Sequence, residues 1–400
     1  MPCAIDEIRK LGERGHEIIA SDTFFSAPGN HSRYATKRFV TPSPRHDTER
    51  FVAEIARIVD TEQVDLVLPA FEEVLFLAKH DVPMPRSRRF FPSFHVLETL
   101  QDKYRFGALA RRLGLNAPEA VVVTSREDLR RAAARFGDYF AKPVNSRGGV
   151  DLLTNAGARA GMLTIEDCDV SKASPWLVQP YVEGRDVCTF SIVQHGVVTG
   201  HATYIHPREI EHSGGIAFES VDIPECVTIA QRIAAATHYH GQLSFDMIET
   251  PRGMVLIECN PRPTAGVHMM SPDMLEAALL DERGRELRVV PPGVRRKYAI
   301  ALLRDMILHV DEAKEDAKYL FSDAKEVVTD RDDWKPAVYQ VFSYGRVIAY
   351  RRKLAGKHER KMDLKKAYFE DVSWDGSEPT SAPTSRRAVG SAMQAGGIPR

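Results

Sequence analysis

Asp246, Glu258 and Asn260 are the residues of this sequence whose types and spacing most directly suggest chemistry. They lie on two apolar-rich runs separated by the turn residues 251–253, which predicts a β-hairpin. A three-residue hairpin loop places a left-handed residue third, where Gly253 stands. This register sets Asp246 opposite Glu258. Because side chains alternate along a strand, Asn260 shares their face.

Two carboxylates on one sheet face repel each other, and folding alone gives no reason to place them together. A hard divalent cation gives one, since Mg²⁺ takes oxygen ligands and is usually held by one or two carboxylates together with substrate phosphates. The hairpin therefore predicts a magnesium site. Its opposite, buried face is expected to carry Phe245, Met247, Val255, Ile257 and Cys259.

The composition excludes several classes of protein. The chain has 400 residues, a formal net charge of −1 and 27% charged residues, so no basic field indicates nucleic-acid binding. Its five scattered cysteines lack a metal-binding spacing and are typical of reduced thiols in a cytoplasmic protein. No apolar run is long enough to span a membrane, and we expect neither a membrane nor a nucleic-acid partner.

Alternating helix and strand patterns near the start predict a parallel sheet over residues 1–93. The chain opens inside a helix, so we expect that the first strand of this domain is missing. Helices are predicted over 94–113, 126–136, 224–239 and 298–318, and short strands over 336–351. The predicted domains are 1–93, 94–283, an α+β extension over 284–373, and a disordered tail over 374–400 that is rich in Ser, Pro, Gly, Ala and Arg.

Lys142 ends a predicted strand and precedes a loop that carries Ser146, Gly148 and Gly149. Paired glycines let backbone N–H groups approach an anion closely, which suggests a phosphate-binding loop. The alternative is a solvated turn beside a lysine that extends to solvent. No Walker A or dinucleotide-binding motif is present.

Three other positions carry charges that could bind a nucleotide or its phosphates. Lys103 begins a helix after Asp102, although a surface lysine is the commoner case. Arg208 and Arg262 could clamp a phosphate or carboxylate, because guanidinium matches planar oxyanions. For Arg208 a surface role is equally compatible with the sequence.

The order of these elements resembles the ATP-grasp superfamily, which includes biotin carboxylase and carbamoyl phosphate synthetase. The resemblance runs over about residues 94–280, and its most specific part is "IECNPRP", which is similar to the family's E-x-N-x-R motif. It implies an α/β fold that is α+β in the ATP-binding part: a Rossmann-like N-terminal domain followed by an ATP-grasp domain with two α+β subdomains.

The resemblance also implies ATP and Mg²⁺ as cofactors, with Mn²⁺ as an alternative ion. Asp246, Glu258 and Asn260 would hold the metal, and Arg262 and Arg208 would be catalytic. The implied ATP-binding residues are Lys103, Lys142, Ser146, Gly148, Gly149, Gln179, Pro180, Val182 and Asp186. Gln179 replaces a glutamate found in many members, and Asp186 is shorter than the usual glutamate.

The implied reaction is ligation of a small-molecule carboxylate to an amine through an acylphosphate, in a protein that could be a homodimer. Phosphoryl transfer needs positioning and charge neutralisation rather than a protein nucleophile, and this set of lysines, arginines and carboxylates suits it. An ATP-binding regulatory module, or a kinase or carboxylase of the same fold, are the alternatives. The second substrate is expected near Arg208, His212, Ser213, Gly214, Gly215 and His268.

Overall fold

A computed structural model describes residues 1–145, 151–210, 214–281, 286–355 and 368–376. The expected phosphate-loop residues Ser146, Gly148 and Gly149 lie outside the described residues, as do His212 and Ser213. Two larger sheets dominate the described chain, and two short parallel strand pairs precede them. The four-stranded sheet is antiparallel, and the eight-stranded sheet is antiparallel except for the pairs that the strands Arg288–Val289 and Lys325–Glu326 form.

The N-terminal region alternates helices with short parallel strands, as the sequence predicted, but these strands form two separate two-stranded sheets rather than the one parallel sheet expected. The first helix is followed by Gly15, whose φ of +87° is accessible to glycine at little cost. The strands pair β1 with β2 and β3 with β4, both in parallel. The elements are α1 (Pro2–Glu13), β1 (Ile18–Asp22), β2 (Ala35–Val40), α2 (Thr48–Thr61), β3 (Leu66–Val67), α3 (Glu73–Lys79) and β4 (Arg88–Arg89).

The helix predicted over 94–113 is two helices, because Asp102 caps the second one. Its carboxylate accepts hydrogen bonds from the backbone N–H groups of Tyr104 and Arg105, which places Lys103 at the first helical position. The elements of this part are α4 (Phe94–Gln101), α5 (Lys103–Arg112), β5 (Val121–Val123), α6 (Arg126–Phe136), β6 (Tyr139–Pro143), β7 (Leu153–Thr154) and β8 (Trp176–Pro180). The four strands form an antiparallel sheet in the order β5-β8-β6-β7.

A second, larger sheet follows immediately. The chain leaves the smaller sheet at Pro180 and enters the larger one at Arg185, so the turn at 183–184 joins two sheets rather than two paired strands. The elements here are β9 (Arg185–Gln194), β10 (Val197–Ile210), β11 (Gly214–Ser220), α7 (Pro224–Thr237), β12 (Gly241–Thr250), β13 (Gly253–Asn260) and α8 (Pro272–Leu280). The strand order begins β13-β12-β9-β10-β11.

The C-terminal part contradicts one prediction. Residues 336–351 were predicted as strands and form a helix. Their Val, Phe, Tyr and Ile content is typical of strands, but one face of this helix packs on the segment Pro28–His31. The elements are β14 (Arg288–Val289), β15 (Arg295–Lys297), α9 (Ala299–Leu308), α10 (Ala313–Leu320), β16 (Lys325–Glu326) and α11 (Lys335–Ala355). β15 and β16 extend the larger sheet, and β14 pairs with β10.

Trp374 corrects the predicted boundary of the tail. It is 4% exposed and packs edge-on against Phe76 and Phe94, so the chain remains ordered past residue 373. Its backbone N–H donates to Glu72 at 2.7 Å. Residues 377–400 lie outside the described residues. Within the described ranges, no helix is long and apolar enough to cross a membrane.

Candidate nucleotide and metal site

The β12–β13 hairpin has the register that the sequence predicted around its polar residues. Asp246 pairs with Glu258 and Ser244 pairs with Asn260. The Asn260 amide donates to Asp246 Oδ2 at 3.0 Å, so the three expected metal ligands lie together on one face. Gly253 has the expected positive φ, +104°, although only two residues form the turn because Thr250 already pairs with Gly253.

A β-bulge changes the opposite face of this hairpin. The register shifts between Asp246 and Met247, so Met247 pairs with Leu256 and one residue of β13 is left over. Leu256 joins the core beside Phe245 and Cys259, whereas Ile257 lines the same cavity as Glu258. The prediction that Ile257 is buried with the core residues was therefore wrong, since strict alternation does not hold across a bulge.

Glu258 is held by two buried lysines from other elements. Lys142 Nζ, at the end of β6, donates to Glu258 Oε2 at 2.7 Å, and Lys103 Nζ lies 3.8 Å from the same oxygen. Lys142 is 4% exposed and Lys103 is 7% exposed. Burial acts to raise the pKa of Glu258, but the two ammonium groups outweigh it and hold that pKa well below its usual range.

Asp246 has no such cationic partner at hydrogen-bonding distance among the described contacts. Burial, together with the adjacent Glu258 carboxylate, raises the pKa of Asp246 to about 6. The Cys188 thiol donates to its Oδ1 at 3.2 Å, which is a weak bond. An ionised Asp246 is therefore electrostatically unfavourable here, and a divalent cation beside it would relieve the repulsion.

These donors fit a magnesium ion that shares its ligands with a nucleotide. They supply two carboxylates and an amide oxygen, which is the kind of set that Mg²⁺ prefers. No cluster of three or more His, Cys, Asp or Glu side chains suited to a metal occurs in the part of the chain that the structure describes. A cation bound here would need further oxygen ligands from phosphates and water.

A cavity of about 380 Å³ lies between the two larger sheets and includes this acidic pair in its wall. That volume falls within the usual range for small-molecule sites. Lys142, Gln179, Val182 and Asp186 line it, as the ATP-binding assignment requires. The described lining does not include Lys103, Pro180, Asn260, Arg262 or Arg208.

Several lining residues were missed by the sequence analysis although period-two alternation could have found them. Phe140 lies two residues before Lys142 on β6, and Cys188 lies two residues after Asp186 on β9. Ile248 likewise lies two residues after Asp246, on β12. Tyr181 and His206 likewise lie two residues from Gln179 and Arg208. The remaining residues of the wall are not separated by two from any predicted residue: Leu152, Thr154, Ala156, Arg159 and Glu209.

Arg262 lies beside the metal ligands rather than in the cavity. Its guanidinium carbon is 4.5 Å from the centre of the Phe71 ring, and Nη2 donates to Asn260 Oδ1 at 3.0 Å. Its buried Nε has no hydrogen-bond partner within the described ranges. The Arg262 side chain thus connects the hairpin to the N-terminal region and retains an unused donor.

Arg208 is held by carboxylates of the C-terminal helices. It bonds to Asp316 Oδ1 at 2.6 Å and to Glu312 Oε2 at 2.5 Å, beside a separate cavity of about 280 Å³. The structure therefore places it apart from the other predicted site residues, and its catalytic role stays a prediction.

The residues expected to bind the second substrate also do not all lie at one site. Gly214 lines the nucleotide cavity, and a side chain on Gly215 would meet the His206 ring at 2.6 Å. His268 is fully buried and hydrogen-bonded to Asp6 and Tyr298, each at 2.9 Å. This network packs α1 against the larger sheet, so His268 is structural and not a pocket residue.

Comparison with known proteins agrees with this geometry. A profile of the ATP-grasp domain matches residues 100–266. The arginine-specific carbamoyl phosphate synthase large chain of Bacillus subtilis is 23% identical over 226 residues, which is 52% of this chain and 22% of that protein. The carbamoyl phosphate synthase large chain of Archaeoglobus fulgidus is 20% identical over 290 residues, or 67% of this chain and 26% of the relative.

Two solved structures share the fold. An ADP complex of N5-carboxyaminoimidazole ribonucleotide synthetase gives a TM-score of 0.58 at 15% identity, covering 78% of this chain and 83% of the other. The biotin carboxylase domain of Hydrogenobacter thermophilus 2-oxoglutarate carboxylase gives 0.56 at 15% identity, covering 72% and 69%. These matches confirm the resemblance found in the sequence: residues 100–266 of this chain are a domain of the ATP-grasp superfamily.

Proposed function

We propose that this protein is an ATP-dependent ligase that activates a carboxylate as an acylphosphate and joins it to an amine. The observation that carries the proposal is the Asp246–Glu258 pair, which faces a cavity of nucleotide size with Lys142 bonded to Glu258. The described wall of this cavity carries basic and acidic side chains, and it contains no serine or cysteine that is activated as a nucleophile. The Cys188 thiol is deactivated, because burial and Asp246 raise its pKa well above the usual range.

In the proposed reaction a carboxylate oxygen attacks the γ-phosphorus of ATP, and ADP leaves. The amine nitrogen then attacks the acyl carbon and loses a proton, phosphate leaves, and an amide is formed. Lys142 and Lys103 would exchange their contacts with Glu258 for contacts with nucleotide phosphates. Arg262 would orient the reacting carboxylate after its guanidinium turns from Phe71 and Asn260 toward the cavity.

Mg²⁺, when bound, would neutralise phosphate charge and help to fix the phosphates for in-line transfer. Asp246, Glu258 and Asn260 are the proposed ligands, and Mn²⁺ could replace it. The structure of the related 2-oxoglutarate carboxylase domain contains MgADP, which supports the assignment of cofactors. The adenine is proposed to lie against Gln179 to Val182, with Lys142 and the loop 146–150 near the phosphates.

We further propose that residues 1–93 are a Rossmann-like domain and that the two larger sheets belong to the two subdomains of the ATP-grasp fold. The parallel pairs β1–β2 and β3–β4, each flanked by helices, support the first assignment. The position of the cavity between the sheets supports the second. Small-molecule substrates are expected, since the cavity has the volume of a small-molecule site.

Two of the relatives carry out carboxylation or carbamoyl phosphate synthesis according to their names, so a carboxylase or kinase remains the second candidate. The matched part covers only about a quarter or less of the carbamoyl phosphate synthase chains. The deciding experiment measures ADP release with Mg²⁺ or EDTA across a panel of carboxylic acids and amino acids, with and without bicarbonate. Ligation predicts ADP release that needs one carboxylate and one amine.

A requirement for bicarbonate in place of the organic carboxylate would establish the second candidate. Nucleotide binding by calorimetry without any substrate-dependent ADP release would instead indicate a regulatory module. If no magnesium-dependent nucleotide binding is detected, the assignment of the site itself is wrong.

Asp186 provides a test of nucleotide orientation. It lines the cavity, and we propose that its carboxylate accepts hydrogen bonds from the ribose. Asp186→Ala should raise the KM for ATP about 3- to 10-fold with little change in kcat, because one charge-assisted hydrogen bond is lost in both ground and transition states. Steady-state kinetics check this, with Glu183→Ala, in the same turn, as the control. An unchanged KM would rule out the ribose contact.

A further inference from the structure

Helix α11 is apolar on two opposite faces. One face packs on the chain's own N-terminal region: the Tyr339 ring stacks on His31 at 3.3 Å, Ser343 Oγ donates to the Ser26 carbonyl oxygen at 2.7 Å, and Val347 is 5% exposed. The other face carries large apolar side chains that are exposed to solvent. An apolar helix face in a folded protein is normally buried, so the second apolar face indicates a partner.

The exposed face is a continuous stripe that begins one residue before the helix. Its large apolar members are 41–66% exposed: Trp334, Val338, Val341, Phe342, Tyr344 and Ile348. The stripe is also linked by aromatic contacts to the buried face, since the Tyr339 and Phe342 rings lie 5.8 Å apart. Scattered apolar residues are common on protein surfaces, but a stripe of this length on one helix is not.

The spacing along the stripe is that of a helix-pairing seam. Positions 334, 338, 341, 345, 348 and 352 alternate steps of four and three residues, which is the a/d pattern of a heptad repeat. Gly345 occupies one seam position, and open space surrounds the place where its side chain would be. The helix has 21 residues, a length of about 32 Å, which gives room for close to three heptads.

We infer that this stripe is the interface of a homodimer, in which α11 pairs antiparallel with α11 of a second copy. A two-fold axis at the middle of the stripe places each a position opposite a d position. Val338 then faces Ile348 of the second copy, and Val341 faces Gly345, whose lack of a side chain lets the helices approach closely. At the two ends Trp334 faces Arg352, which is exposed and supplies a cation for the ring.

The size of the stripe matches a second copy. From their exposed fractions, the six large side chains offer roughly 700 Å² per subunit. A stable interface buries about 800 Å² per partner, so the stripe supplies most of what a dimer needs before any neighbouring loop is counted.

The first test is the mass of the full chain by sedimentation equilibrium between about 1 and 100 μM. The expected mass is twice the 44.8 kDa of one chain. Val341→Glu should give a monomer, because it puts a charge in the middle of the seam opposite Gly345. Met162→Glu is the matched control, since Met162 is 64% exposed and lies outside the helices, and it should leave the dimer intact. Circular dichroism establishes that both variants are folded.

A second test fixes the orientation. All five native cysteines are buried, so introduced cysteines can be oxidised selectively. In an antiparallel pair, a mixture of Val341→Cys and Gly345→Cys chains should form a disulfide-linked heterodimer, whereas neither variant should link efficiently to itself. Self-linking of Val341→Cys would indicate parallel pairing. A monomeric wild-type chain at 100 μM, or a dimer that survives Val341→Glu, would overturn the proposal.

Discussion

Replacing Glu258 by glutamine should reduce ATP turnover roughly 100- to 1,000-fold, as expected when one preorganised charge is removed from the reacting phosphates. The side chain keeps its shape but loses the charge that Lys142 and Lys103 share. A neutral amide is also a poor ligand for Mg²⁺ beside Asp246. Turnover should remain low when Mg²⁺ is raised well above its working concentration.

The same substitution should lower the free energy of unfolding by about 2 kcal/mol. Removing one member of a buried ion pair leaves the other charge uncompensated, and Lys142 is 4% exposed. Because the lysines hold the pKa of Glu258 below its usual range, the pair stabilises the folded state at neutral pH. That contribution is lost as the pH falls through the folded-state pKa, so the difference between wild type and variant should shrink in acid.

Two controls separate catalysis from stability. Glu249→Gln changes a carboxylate on the same hairpin that pairs with Arg185 at the surface, and it should alter both quantities only slightly. Lys142→Met combined with Glu258→Gln removes both charges and should recover much of the stability without recovering turnover. Turnover near the wild-type level in Glu258→Gln would refute the proposed metal site.

The β12–β13 hairpin could be predicted from sequence because the residues that determine it are close together in the chain. The turn and the alternation of polar and apolar residues together fix which side chains face each other, and the Asp246–Glu258 pairing was confirmed. The bulge could not be predicted. β12 pairs with β9 without a register shift, and the extra residue of the bulge lies in β13, where Ile257 lines the cavity.

Partners distant in sequence were beyond the same reasoning. Nothing near Arg208 indicates that Asp316 and Glu312 hold it, and nothing near Trp374 indicates that it packs on Phe76 and Phe94. Local pattern identifies which residues can do chemistry, but tertiary packing decides which of them meet.

The error at α11 has a different physical cause. An amphipathic helix reveals itself by one polar face, whereas this helix is apolar on the face that packs inside the chain and on the face we assign to the dimer. Polar residues such as Gln340 and Arg346 lie between the two apolar faces, so no single polar face reveals the helical period, and the β-branched and aromatic composition indicates a strand. The second apolar face therefore explains both why the sequence predicted strands here and why we infer a dimer interface.

Asp246→Asn should make the protein more stable and far less active. Burial and Glu258 raise the pKa of Asp246 from 3.8 to about 6, which corresponds to about 3 kcal/mol. Partial exposure of this side chain reduces the expected gain to about 2 kcal/mol. An asparagine can still accept the bond from Asn260 without bringing a second negative charge to Glu258.

The pH dependence identifies the cause of the gain. Because the folded state holds the proton more tightly than the unfolded state, ionisation of Asp246 costs stability as the pH rises from about 4 to 6. Above that window the cost is complete, so the variant should exceed wild type by the full amount at pH 8 and by almost nothing at pH 4. Denaturant unfolding at these two pH values measures the difference, with Glu249→Gln again as the control.

Turnover should fall at least 100-fold in the same variant, since the cation loses a charged ligand. A protein that keeps a repulsive carboxylate pair at the cost of stability is expected to use it, which is why the two effects should appear together. An Asp246→Asn variant that is less stable than wild type at pH 8, with turnover preserved, would show that this carboxylate serves the fold and not a metal.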